Sequence, residues 1–107
     1  MADHREVKIA EEIAHVAADF FAHESNRESL ITITRAMIAP NLKQVTIFFT
    51  VLPETQEQKA LAFAKRLRSD FRIYLHRHSR IGMLPIVDFE IDLGEKNRQR
   101  IDDLTRK

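Results

Sequence analysis

The chain contains no cysteine and no tryptophan in 107 residues. Without cysteine, disulfides, thiolate metal ligands and thiol nucleophiles are all excluded. That composition suits a reducing cytoplasm. Glycine occurs only at Gly82 and Gly94, too far apart for a phosphate loop of the GxxxxGKS/T kind and too few for GxGxxG. No run approaches the roughly 18 apolar residues of a membrane span. The opening MADHREVKIAEE is too charged for a secretory signal. Charge of one sign is also missing, because the formal net charge is +1. The whole-molecule field therefore says little about partners. These absences lead us to expect a cytoplasmic protein with no membrane contact.

What remains is ordinary for a globular domain, with 44% apolar and 31% charged residues. The length allows one modest core, so residues 1–107 are expected to form a single domain and a monomer. The charge is unevenly spread. Lys65, Arg66, Arg68, Arg72, Arg77 and Arg80 lie within sixteen residues, with Asp70 as the only acid. Asp3, Glu6, Glu11, Glu12 and Asp19 make the N-terminal segment acidic. A local basic patch on a nearly neutral chain suits a polyanion docking on one face. Most charge runs are only solvated helix faces.

Val7, Ala10, Ile13, Ala14, Ala17, Phe20 and Phe21 recur at helical spacing and predict an amphipathic helix over 4–23. Asp3 and Glu6 form a capping-box pattern at its start. ESNRES (24–29) breaks the pattern. Residues 30–38 are rich in β-branched side chains and predict a strand. Ala39-Pro40-Asn41-Leu42 predicts a turn, with Pro40 presetting φ and Asn41 tolerating the next position. Residues 43–52 alternate, with Val45, Ile47, Phe49 and Val51 on one side, and predict a second strand antiparallel to the first.

After Pro53 a helical pattern runs from about 54 to 81 through Ala60, Leu61, Phe63, Ala64, Leu67, Phe71, Tyr74 and Leu75. Its length predicts an internal break at Arg68-Ser69-Asp70, with Ser69 capping a second helix and Asp70 near its positive end. Gly82 is expected to end that helix at positive φ. Residues 85–91 predict the third strand. A charged helix from about 94 follows, anchored by Ile101 and Leu104. The class is α+β, a three-stranded sheet with helices on one face, in the order α-β-β-α(kink)α-β.

A search for catalytic chemistry is mostly negative. Ser25, Ser29, Ser69 and Ser79 lie in no nucleophile elbow. His76 and His78 point about 200° apart on a helix and cannot share an ion. Asp88, Glu90 and Asp92 alternate on a strand and are the only row that could hold a divalent cation; solvated carboxylates are commoner there. No cofactor, catalytic residue or metal site is expected. A third possibility, a small metal enzyme using that row with His76, requires a concave pocket.

The positive signal is geometric. On an unbroken helix over 65–80, Lys65, Ser69, Arg72, His76 and Arg80 fall within about 60°. Arginine forks match phosphate oxygens. A helix start near Ser69 would add free backbone N–H groups. With no tryptophan and Tyr74 facing the core, backbone and shape recognition is favoured over reading of single-stranded bases. A protein-interaction module using an uncovered sheet face, with Phe48 and Leu52, is the alternative.

Four stretches together resemble ribosome-binding factor A: VKIAEEIAHVAADFF, LITITRAMIAPNLKQVTIFFTVL, FRIYLHRHSRIGMLPIVDFEID and RIDDL. The most telling spacing is Arg80, Ile81, Pro85, Phe89 and Asp92. The resemblance covers roughly residues 5–105. It implies a variant of the type II KH fold and a non-enzymatic maturation factor. Such a factor binds the immature small ribosomal subunit and its 16S rRNA, with links to cold adaptation. Lys65, Arg66, Arg68, Ser69, Arg72, His76, Arg77 and Arg80 would then be the RNA-binding residues, with Arg35 and Lys43 extending the surface. Where that family has an Ala-x-Gly kink, this chain has Arg68-Ser69-Asp70, and Asp70 would repel phosphate. The tail that many members carry is short here.

Overall fold

The computed structural model describes residues 4–24, 28–82 and 84–105. Helix α1 (His4–Glu24) leads into strands β1 (Leu30–Ile38) and β2 (Gln44–Leu52). A 3-10 turn (Glu54–Gln56) opens helix α2 (Glu57–Arg66), followed by α3 (Arg68–His78), strand β3 (Ile86–Ile91) and α4 (Leu93–Thr105). The sheet order is β1-β2-β3. β1 and β2 are antiparallel, with Leu30 opposite Leu52 and Ile38 opposite Val45. β3 runs parallel to β2, which a crossover through α2 and α3 makes possible. The expected α+β order is therefore present, and α1–α3 bury one sheet face. Asp3, part of the expected capping box, and residues 25–27 of the predicted break lie outside the described residues.

Strand alternation builds that face. Val45, Ile47, Phe49, Val51, Val87 and Phe89 are buried and meet Ile13, Val16, Ala17, Phe20 and Phe21 of α1. Ala60 and Ala64 of α2, with Phe71 and Leu75 of α3, complete the cluster. Phenylalanine rings hold its centre. Phe71 lies 5.4 Å from Phe20 and 5.8 Å from Phe89, both edge-on. Such pairs add about 0.5–1.5 kcal/mol each beyond burial. Val7, expected on the core face, is exposed; it borders an open groove between α1 and β1.

The β1–β2 connection is the expected turn: the Leu42 N–H donates to the Ala39 carbonyl at 2.8 Å. Asn41 Oδ1 accepts from the Lys43 N–H at 2.9 Å. The left-handed residue is Leu42 (φ 61°), a conformation that strains a side-chain-bearing residue. β1 carries a bulge at Thr34, between Ile33 and Arg35.

Three expectations need correction. The helix break falls at Leu67, not at Ser69. Leu67 (φ −93°, ψ 7°) ends α2 and precedes α3, with no side-chain cap on either helix. Its N–H donates to Ala64 and its carbonyl accepts from Phe71, so the backbone alone joins the two helices. Half-buried Leu67 packs on the core, and this apolar anchor takes the place of a polar cap. Asp70 does lie in the first turn of α3.

The second correction concerns Gly82, which does not end α3: no glycine has positive φ. Ser79 is extended (φ −140°, ψ 168°), and its hydroxyl donates to the Leu75 carbonyl at 2.7 Å. The third concerns α4. Ile101 and Leu104 do not anchor it, being 60% and 63% exposed. Lys96 pairs with Glu57 at 3.1 Å, and Arg100 with Glu54 at 3.4 Å. The Asp92 cap described below holds the start of the helix.

Candidate nucleic-acid interface

Two groups of basic side chains separate in space. The first surrounds Asp88 on edge strand β3. Lys65 Nζ lies 2.8 Å from Asp88 Oδ1 and Arg68 Nη1 3.4 Å from the same oxygen. Arg68 Nε also donates to the Lys65 carbonyl at 3.1 Å. Partial burial would raise the Asp88 pKa. Hydrogen bonds from Lys65 and the Phe89 N–H, with the Lys65 and Arg68 charges, overcome it and hold the carboxyl below its usual range. Half the charge of this group is therefore already offset within the fold.

The second group lies toward the far end of α3. Arg77 and Arg80 are exposed, as is Lys43 on the β1–β2 turn. None of these side chains has a hydrogen bond or ion pair to another described residue, and the same holds for exposed Arg66 on α2 and for Arg5 on α1. Arg72 is exposed but its Nε donates to the Pro85 carbonyl at 3.1 Å, which fixes it against the start of β3. Ser69 and His76 are exposed on α3 and share a helix face with Arg72. The single stripe from Lys65 to Arg80 does not form. Lys65 belongs to α2, Arg80 lies beyond the end of α3, and Leu67 separates the two helices.

Arg35 takes a different role. Its guanidinium sits 4.1 Å above the Phe48 ring, and Nε donates to Asp92 Oδ2 at 3.2 Å. It thereby covers one face of Phe48. Tyr74 is half-buried and stacks on His78 at 3.9 Å. These two rings are occupied within the fold, which leaves phosphate and shape contacts as the main resource of this surface.

Asp92 is the residue that sequence reasoning misplaced. Instead of continuing an open acidic row, it is buried. The Thr34 hydroxyl donates to Oδ2 at 2.5 Å, and the Glu95 N–H donates to Oδ1 at 3.0 Å. It thus caps α4 and ties the β1 bulge to the end of β3. Asp92 followed three residues later by Glu95 is a capping-box spacing that could have been read directly. Among the described residues no three His, Asp or Glu side chains gather as a metal set. Nor is any described helix long and apolar enough to cross a membrane.

The sequence model of the family described as "Ribosome-binding factor A" matches residues 5–105. Ribosome-binding factor A of Bradyrhizobium sp. (strain ORS 278) is 27% identical over 107 residues, covering 95% of this chain and 78% of that protein. The Acidothermus cellulolyticus protein of the same name is 26% identical over 100 residues, covering 91% and 67%. The crystal structure of ribosome-binding factor A from Thermus thermophilus superimposes with a TM-score of 0.72 at 16% identity, covering 80% of this chain and 94% of that one. A Thermus thermophilus ribosome binding factor A homology model, fitted into the cryo-EM map of a 30S complex, gives 0.66 at 18% identity, covering 84% and 93%. These structural likenesses establish a shared KH-like fold. With the family match spanning nearly all of the sequence, the chain belongs to the ribosome-binding factor A family.

Proposed function

We propose that this protein is a non-enzymatic, cytoplasmic maturation factor. It binds the immature small ribosomal subunit through 16S rRNA and assists late processing and assembly. The family supports ribosome association, and a structural neighbour has been fitted into a 30S complex. The observation that carries the RNA reading is the set of exposed, internally unpartnered cations: Arg66, Arg77, Arg80 and Lys43. Arg72, Ser69 and His76 lie beside them on α3. Lys65 and Arg68 are secondary, because Asp88 already offsets them. Nothing in this role needs a cofactor.

Phosphate contacts release counterions, so binding to immature particles should weaken steeply with salt. Arg77→Ala and Arg80→Ala should each reduce the log–log salt slope by about 1. Binding that is flat from low to moderate salt would refute the patch.

A second reading, a protein-interaction module, has one observation in its favour. Leu30 and Leu52 pair across the strands and are 61% and 59% exposed. Phe48 adds little, because Arg35 covers it. Leu52→Ser separates the readings: it should leave binding to small subunits unchanged if RNA contacts dominate.

A further inference from the structure

A cleft of about 320 Å³ opens between the N-terminal end of α1, the β1–β2 turn and the segment joining α3 to β3. It stands one helix length from the α2–α3 junction, roughly 16 Å at about 1.5 Å per residue. Ile9 and Ile38, both half-buried, and buried Pro85 supply its apolar wall, while exposed Arg5 and Arg80 form its rim. Neither arginine has a partner among the described residues. Two unpaired guanidiniums beside an apolar recess are the opposite of the Asp88 group, where the fold itself offsets the charge.

We propose that this cleft receives a single unpaired nucleotide of the bound RNA, its base against the apolar wall and its phosphate between Arg5 and Arg80. The inference deepens the RNA-binding reading above and rests on it. The volume is at the small end of ligand pockets, about 300–1,000 Å³. That excludes a helix or a folded peptide and suits one nucleotide. Among the described residues no aromatic lines the cleft, so the base packs on the aliphatic side chains of Ile9, Ile38 and Pro85 while both arginines stay with the phosphate.

The polar groups fix the orientation. Glu12 also borders the cleft; its carboxylate repels phosphate and accepts N–H from a base edge. The phosphate therefore lies on the arginine side. Asn41 Oδ1 already accepts from the Lys43 N–H, which leaves its amide N–H groups to donate to the base. Lys43 does not line the cleft; it is exposed and follows the lining residue Leu42 in the chain.

Gly82 provides the test, since a Cβ there would meet nothing within 4 Å. Gly82→Leu should fill the cleft while leaving every charge and the fold in place. In full-length protein it should weaken binding to immature small-subunit particles about tenfold, the scale of one lost base contact, with the salt slope unchanged. Arg5→Gln with Arg80→Gln should weaken binding comparably and lower the slope by about 1–2. Titration with uridine or adenosine 5′-monophosphate should shift the amide resonances of Ile9, Ile38 and Leu42; inorganic phosphate alone should not. A Gly82→Leu protein that melts and binds like the wild type overturns the cleft while leaving the surface arginines as the RNA contact. So does an equal response to phosphate and mononucleotide. Wild-type protein that fails to bind the particles overturns the RNA reading itself, and the cleft with it.

Discussion

Asp92 shows what one side chain can organise. Its carboxylate accepts from Thr34, Arg35 and the first turn of α4, joining three elements. Burial alone would raise its pKa. Hydrogen bonds from Thr34, the Glu95 N–H and Arg35 outweigh burial and hold the pKa below its usual range. A carboxyl with a lowered folded pKa contributes stability above its unfolded value and loses it as pH falls through the folded one. Asp88 is shifted the same way. The melting temperature should therefore drop as pH falls below about 4, and Asp92→Asn should flatten that drop. Asp92→Ala removes a cap and strands buried donors, so denaturant titration should show a loss of about 2–4 kcal/mol. An unchanged midpoint would mean that α4 needs no cap.

The elements were largely legible, because each depends on a local pattern. Phe20 and Phe21 mark the inner face of α1, and the alternation from Val45 to Val51 marks β2. Pro40 and Asn41 mark the turn between strands. What the pattern hid was how elements end. Leu67 breaks the helix by packing on the core, whereas Ser69 looked like the cap because caps are usually polar. Ser79 stops α3 with its hydroxyl, whereas Gly82 looked like the stop because glycine usually serves there. The junction can be checked directly. Ser69→Ala should change stability by less than about 0.5 kcal/mol, while a true cap would cost about 1 kcal/mol. Ile101 and Leu104 likewise looked like anchors by composition, but Lys96 and Arg100 reach the α2 side of the fold.

At the scale of the molecule, one apolar layer holds three helices to one sheet, and Phe71 joins its parts. It stacks edge-on against Phe20 from α1 and Phe89 from β3. Phe71→Ala should cost about 3–5 kcal/mol in stability, measured by denaturant unfolding. The basic surface is the part least legible in sequence. Ten basic or polar side chains were grouped by spacing, yet only the fold separates those that Asp88 or Asp92 already engages from those left unpaired. Arg5 entered no sequence-level grouping, because it sits about 75 residues from Arg80 in the chain and meets it only across the cleft.

The central claim is that the unpaired cations dock this fold onto unfinished small subunits. Cosedimentation with immature and mature small-subunit particles, at low and moderate salt, tests it most directly. The wild-type protein should pellet with the immature particles and not the mature ones. That binding should fall steeply with salt and be lost in the triple Arg66→Ala, Arg77→Ala, Arg80→Ala variant, whose melting temperature stays the same. Equal pelleting with both particles, or a triple variant that binds as well as the wild type, would contradict the account.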